Sequence, residues 1–193
     1  RDPPPRATRD GARAGKTGTG GRYTHQPEYQ VVLQVGLKLK RILEEQGATV
    51  VITRTTNDVM RYFYINAIDD AKDSIRIINP YFTLVPSVSK ALKRAIKRGV
   101  KVELMISSKS DIPLTPDCGF YNAHKLMKRG VEVWMYEPGF HHTKIITVDG
   151  RFCTVGSANL NARSLRWDYE ANAVIIDKAI TRQLDEMFNQ DKK

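Results

Sequence analysis

Two residues apart, His142 and Lys144 place an imidazole and an ammonium on one side of an extended chain, because alternate side chains of a strand share a face. A few residues on, Gly156-Ser157-Ala158-Asn159 adds a glycine that admits close backbone approach, a hydroxyl and a carboxamide. These are the donors that an anionic phosphoryl oxygen requires. A neutral histidine can attack phosphorus while Lys144 and Asn159 hold the equatorial oxygens, so fixed donors rather than a metal meet the developing charge. Glu170, further along, is expected to orient and support the imidazole as a triad carboxylate does.

Positioning these groups requires a hairpin. The stretches 141–148 and 151–155 read as strands flanking Asp149-Gly150, a dipeptide suited to the positive φ angles of a tight type I′ turn. Upstream, the pattern alternates. Strands are expected at 74–78, 100–107 and 131–136, with helices at 86–98, ended by Gly99, and 119–129, ended by Gly130. A helical stripe of Met60, Tyr64, Ala67, Ile68 and Ala71 precedes them over 59–72, and a strand at 168–176 and an amphipathic helix at 178–190 close the chain. Such alternation implies an α/β fold, a sheet with helices packed on its faces. Before it, Val32, Val35, Leu39 and Ile42 recur at helical spacing over 27–46, and 48–53 reads as a short β-branched strand. Residues 1–21, rich in Pro, Gly, Arg and Thr, read as a mobile basic arm.

His142, Lys144 and Asp149 fit the pattern HxKx4D, and Gly156, Ser157 and Asn159 follow at the spacing of its continuation, so the segment resembles the HKD motif of the phospholipase D superfamily. With Asn79-Pro80-Tyr81-Phe82, Lys101-Val102-Glu103-Leu104 and the run from Gly156 to Ile176 containing Arg163-Ser164 and Glu170, residues 59–193 resemble the C-terminal half of a bacterial cardiolipin synthase. The resemblance implies a phospholipase D-like mixed sheet with helices on both faces. It also implies an enzyme without cofactor or metal, in which His142 forms a phosphatidyl-histidine intermediate. His142, Lys144, Asp149 and Glu170 would be its catalytic set, with Asp149 in a more structural role, and Lys144, Gly156, Ser157 and Asn159 would bind phosphate. The implied substrate is an anionic phospholipid of the phosphatidylglycerol type, met by a peripheral protein at the cytoplasmic face of a bacterial membrane. Members of the family build one site from two such motifs, and a single imidazole cannot be neutral base and cationic acid at once. With one motif present, either two chains pair about a twofold axis, as in the superfamily's short nucleases, or the chain is an inactive half. A dimeric phosphodiesterase acting on nucleic acid is the alternative enzyme, and a catalytically incomplete fragment the third reading.

Residues 2–58 resemble the opening third of a zinc-dependent N-acetylmuramoyl-alanine amidase, through 18–21, Glu28, 37–43 and 51–58 including Thr53-Arg54-Thr55-Thr56. Glu28 falls at a ligand position of that family, yet the first histidine is missing from 2–7 and the later histidine segment is absent, so zinc hydrolysis is not expected. His25 reads as a solvated loop residue. Residues 22–58 are therefore expected to be a helix-strand appendage joined near Asp58 to a phospholipase D-like domain, and the start at Arg1 rather than Met suggests a fragment or processed chain.

Composition fits this reading. Of 193 residues, 31 are Lys or Arg and 21 Asp or Glu, a net charge of +10 that favours phosphate-bearing partners, nucleic acid and anionic lipid alike. Two cysteines, Cys118 and Cys153, are too few for a disulfide framework, which points to a reducing compartment. Nothing approaches the roughly 18 apolar residues of a membrane span. His141 should face away from His142 as scaffold, and His124 should be at the surface. The basic series Lys90, Lys93, Arg94, Lys97, Arg98 and Lys101 reads as a solvated helix face. The aromatics Tyr62, Phe63, Tyr64, Tyr81 and Phe82 read as core. Residues 111–116 are a gating loop or an ordinary connector.

Overall fold

The computed structural model describes residues 28–55, 59–168 and 170–192. The expected basic arm, His25 and the junction near Asp58 lie outside them. In chain order the elements are α1 (Glu28–Glu45), β1 (Thr49–Thr55), α2 (Val59–Asp70), β2 (Ser74–Ile78), α3 (Pro86–Lys97), β3 (Lys101–Ser107), α4 (Thr115–Met127), β4 (Glu132–Tyr136), β5 (Ile145–Val148), β6 (Phe152–Gly156), α5 (Ala162–Arg166), β7 (Glu170–Ile176) and α6 (Lys178–Gln190). The seven strands form one mixed sheet in the order β1-β7-β6-β5-β2-β3-β4. β2, β3 and β4 are parallel, whereas β5, β6, β7 and β1 join antiparallel to their neighbours.

Side-chain alternation sorts the sheet into two faces. Ile75, Ile77, Val102, Leu104, Ile106, Ile146 and Val148 meet Met60, Tyr64 and Ile68 of α2, Leu92 of α3, Leu126 of α4 and Leu165 of α5 in the larger core. On the opposite face Cys153, Ala173 and Ile175 meet Leu43 of α1 and Leu184 of α6, and Ile78, Met105 and Ile145 meet Phe188. Burial pushes the Cys153 thiol up to about 11, which keeps it an apolar core group. Helices thus cover both faces of a mixed sheet.

Several boundaries differ from those expected. The ladder of β5 begins at Ile145, so His141 to Lys144 precede it. α4 starts at Thr115 with Pro116 in its first turn, where a missing N–H is no loss. The five-residue α5 is too short to show a period. β1 is the sheet's outer strand, paired with β7 from Thr49↔Ile176 to Thr55↔Glu170, so the helix-strand segment expected as an appendage extends the same sheet. Val35, Leu39 and Ile42 of α1, expected on its inward stripe, are exposed, and Leu43 packs instead. Tyr64 and Phe82 are core as expected and Phe63 packs against it, but Tyr62 is exposed and Tyr81 is not in the core. In the basic series, Arg94 pairs with Asp69, Arg98 bonds the carbonyls of Ile68 and Ala71, and Lys101 lies 3.3 Å from Glu132.

A charged cluster fastens α6 to the sheet. Glu103, 1% exposed, lies 2.9 Å from the Arg76 Nε, off the hydrogen-bonding axis, and also accepts from Lys192. Arg76 reaches Asp185 of α6 at 2.9 Å, and Thr147 donates to the same carboxylate at 2.6 Å. Burial alone would raise the Glu103 carboxyl, but Lys192, Arg76 and Lys101 together outweigh it and hold it below the usual range. A lowered folded-state pKa gives stability that is present at neutral pH and lost as pH falls through that value. Glu103→Gln, which strands buried cations, should lower stability by about 3 kcal/mol at pH 7. In urea titrations the gap between variant and wild type should narrow below about pH 4.

Candidate active site

The candidate residues gather where β2 and β3 end and β5 begins, the end of parallel strands at which α/β sheets place their sites. The His142 ring is exposed. It packs edge-on against Tyr81, centroids 5.5 Å apart, and lies 5.0 Å from Phe140, which in turn is 5.7 Å from Tyr81. Lys144 is buried, its Nζ donating to the His142 carbonyl at 2.7 Å and sitting 5.9 Å from the Tyr81 ring centroid. Imidazole and ammonium therefore flank one aromatic ring. The lysine reaches it by folding back along its own chain, since 142 and 144 stand ahead of the ladder and strand alternation does not align them.

Tyr81 is anchored in turn. Its hydroxyl donates to Asp111, and burial, reinforced by that carboxylate, pushes the phenol up to about 12. Asp111, lowered by the Tyr81 bond, also feels the charge of His142. The 111–116 connector is thus tied to the site through its first residue.

The Gly156-Asn159 run is held from below by Asn172 and from the side by Asn79. Asn172 accepts from Ala158 N at 3.2 Å and donates to Tyr64 Oη at 2.9 Å and to Thr154 Oγ1 at 3.0 Å. Asn79 accepts from Leu160 N at 3.2 Å, and Gly156 N donates to the Lys144 carbonyl at 3.3 Å. Gly156 is not held open for a phosphate. A Cβ there would fall inside 3.0 Å of Asn172 Oδ1 and the Ala171 carbonyl, so its lack of side chain serves strand packing. On the same loop Asn159 Oδ1 is buried without a hydrogen-bond partner among the described residues.

Glu170, 7% exposed, accepts from the Ser157 hydroxyl, and Ser164 also hydrogen-bonds to it. The partners of the carboxylate expected to support the imidazole thus include Ser157 and Ser164. Burial raises its pKa most, opposed by those hydroxyls and by the charge of Lys144, and the net shift is upward. Asp149, grouped with the catalytic set through its motif in a more structural role, makes structural contacts. It occupies the far end of β5, five residues and roughly 16 Å from Lys144. Its carboxylate accepts from the N–H groups of Lys72 (2.9 Å), Asp73 (2.8 Å) and Ser74 (2.9 Å), while Asp149 and Gly150 take φ of 53° and 58° in the tight turn. It anchors the hairpin to the start of β2. His141 turns inward, its Nε2 3.2 Å from Asp191 and its ring against Tyr136 at 4.5 Å.

His142 and Lys144 meet at Tyr81, Lys144 is tied to Gly156 through the backbone, Glu170 meets Ser157, and Asp149 stands at the hairpin turn. Tyr81, Phe140, Asp111, Asn79 and Asn172 are additions to the expected set. Asn79-Pro80-Tyr81-Phe82 was the available signal for two of them; Phe140, beside the histidine pair, gave none. Among the described residues no group of three or more His, Cys, Asp or Glu could hold a metal ion.

Known proteins share this sequence pattern and fold. The chain matches the family model described as cardiolipin synthase, PLD-like domain, over residues 64–192. Cardiolipin synthase 1 of Staphylococcus epidermidis is 40% identical over 132 residues, which are 68% of this chain and 27% of that protein. The cardiolipin synthase of Oceanobacillus iheyensis is 38% identical over 128 residues, 66% of this chain and 27% of that protein. Among solved structures, Nuc of Salmonella typhimurium, a phospholipase D family member, is similar with a TM-score of 0.64 at 27% identity, covering 75% of this chain and 93% of Nuc. Phosphatidylserine synthase of Haemophilus influenzae shares the fold at a TM-score of 0.65 and 16% identity, covering 76% of this chain and 39% of that one. The chain thus belongs to the phospholipase D-like domain family of the cardiolipin synthases. It spans about a quarter of the length of those two synthases.

Gly156→Ala tests how the site is held. The added methyl meets backbone and a pinned carboxamide, so unfolding free energy should fall by about 3 kcal/mol, measured by urea denaturation. Asp149→Asn suits the same turn but loses the anionic acceptor of three N–H groups. It should lower stability at pH 7 and lose that effect in acid, because these bonds outweigh burial and hold the wild-type carboxyl below its usual range.

Proposed function

We propose that this chain supplies one half of a metal-independent phosphodiester-cleaving centre that transfers phosphatidyl groups, with His142 as nucleophile. The observation that carries the reading is the exposed His142 ring sharing Tyr81 with the buried Lys144 ammonium. A ring nitrogen of His142 attacks phosphorus and the bond to the leaving alcohol breaks, giving a phospho-histidine and an alkoxide that takes a proton from a second imidazole. An acceptor hydroxyl then returns a proton to that imidazole as its oxygen attacks the same phosphorus, which frees His142. Lys144 and Asn159 steady the equatorial oxygens in both steps, and Glu170 fixes Ser157 beside them.

The second imidazole comes from another half, most simply a second copy about a twofold axis. In support, three quarters of this chain covers 93% of Nuc, a family member that carries the same fold in a chain of similar extent. The likeness to cardiolipin synthases favours an anionic phospholipid as donor, at a membrane surface; no helix among the described residues is long and apolar enough to cross one. Nucleic acid, which the net charge of +10 suits as well as it suits anionic lipid, is the alternative substrate.

His142→Ala should abolish both turnover of phosphatidylglycerol and covalent labelling by a radiolabelled phospholipid; retained activity removes the mechanism. Light scattering should give twice the chain mass for the active species. Metal-independent nicking of plasmid DNA in EDTA, without lipid turnover, selects the alternative. A persistent monomer at micromolar concentration with neither activity marks an incomplete half.

A further inference from the structure

The segment leading from the site into α4 carries a feature that neither the core nor the proposed chemistry uses. Leu114 has φ of 65°, in the left-handed region that an ordinary L-residue avoids, yet its side chain is 74% exposed. Asp149, the other described non-glycine at positive φ, is compensated by its turn and three N–H bonds. Leu114 has no comparable return from packing. Strain with no internal compensation is a reason to look outside the fold. Ile112, 52% exposed, stands beside it.

Along α4, toward its far end roughly 15–20 Å from this tip, the surface becomes basic. Cys118, Tyr121, Lys125 and Lys128 follow at helical spacing on the solvent side of α4, all exposed, with Lys125 Nζ 3.9 Å from the Tyr121 ring centroid. Lys125, Lys128 and Arg129 share a cleft with Lys93 of α3. Among the acids of this segment, Asp111 is engaged by Tyr81 and Asp117 lies in the first turn of α4. An apolar tip, then an amphipathic aromatic and a row of Lys and Arg along the exposed side of α4, form the profile of a surface that lies along the headgroup layer of an anionic membrane.

The tip is also close to the site. Asp111 bonds the Tyr81 hydroxyl, Tyr81 packs on His142, and three residues, at most about 10 Å of chain, separate Asp111 from Leu114. We infer that Ile112 and Leu114 form an interfacial wedge that enters an anionic bilayer, with Tyr121, Lys125 and Lys128 at headgroup level, and so presents a lipid phosphodiester to His142. This deepens the proposed function and rests on its lipid reading. It names the substrate as lipid within a bilayer, reached by docking.

The test uses the full 193-residue chain and two readouts, so that docking and catalysis fail separately. Pelleting with phosphatidylglycerol vesicles and with phosphatidylcholine vesicles measures docking, and hydrolysis of bis(4-nitrophenyl) phosphate, which needs no interface, measures the site. Wild type should pellet with the anionic vesicles. I112S/L114S should lower that partition about 30-fold and leave hydrolysis unchanged. K125E/K128E should lower it with a dependence on salt. Leu114→Gly relaxes the backbone, so it should raise the melting temperature while weakening partition. The inference is overturned if wild type does not bind phosphatidylglycerol vesicles, or if I112S/L114S binds them as wild type does. It is also overturned if Leu114→Gly lowers the melting temperature with docking intact, or if the double serine variant loses single-stranded DNA binding or self-association while vesicle partition stands. Vesicle docking without diester hydrolysis would support the wedge and count against the catalytic reading alone.

Discussion

Where Gly156 lies against Asn172 and the Ala171 carbonyl, there is no room for a side chain, and the geometry of the site follows from that contact. It lets β6 and β7 close tightly enough for one carboxamide to bind the loop above, through Ala158 N, and the layer below, through Tyr64 and Thr154. Burying the Tyr64 hydroxyl raises its pKa further, so it stays a neutral partner for Asn172. A buried amide whose donors and acceptor are engaged is rigid, because any displacement leaves a polar group unpaired in an apolar surrounding. Ser157 and Asn159 inherit that rigidity. The same glycine ties back to the Lys144 carbonyl, so both sides of the hairpin are set by one close approach.

The opposite face supplies the other half of the support. His141 and His142 are neighbours with opposite destinations, one ring turned in to Tyr136 and Asp191, the other out to Tyr81 and Phe140. Asp191 caps α6, and α6 is held to β2 and β3 by Arg76, Glu103, Asp185 and Lys192. The ion cluster and the exposed imidazole are thus joined through one residue of backbone. Charges buried for architecture on one face fix the direction of a polar ring on the other.

Much of this was legible in the sequence because it rests on local rules. Period and terminators placed β2 and α6 to the residue, and Asp149-Gly150 specified its turn because positive φ at both positions suits few other pairs. What was not legible depends on contacts distant in sequence. Gly156 was read as room for a phosphate, but the room is taken by a residue 16 positions later. The bond between Glu170 and Ser157 likewise follows from the register of β7 against β6. Phe140 and Asp111 belong to connectors without periodicity, and they matter only because Tyr81 stands between them. Asn172 carries no signal of its own within the 168–176 strand. Its role follows from the burial of Tyr64, 108 positions earlier.

The exposure of His142 bears on the proposed reaction in a further way. A phospho-histidine open to solvent is discharged by water, the most concentrated acceptor present, and transfer to an alcohol requires that water be kept out. Within this chain Tyr81 and Phe140 wall the ring on two sides, and the described residues leave its outer side exposed. A second half set against that side would do two things at once: bring the imidazole that protonates the leaving oxygen, and close the site against solvent. Under the proposed mechanism, pairing would then be a condition for choosing transfer over hydrolysis as well as for completing the proton traffic, and an imperfectly paired site should shift its products toward hydrolysis before it loses turnover.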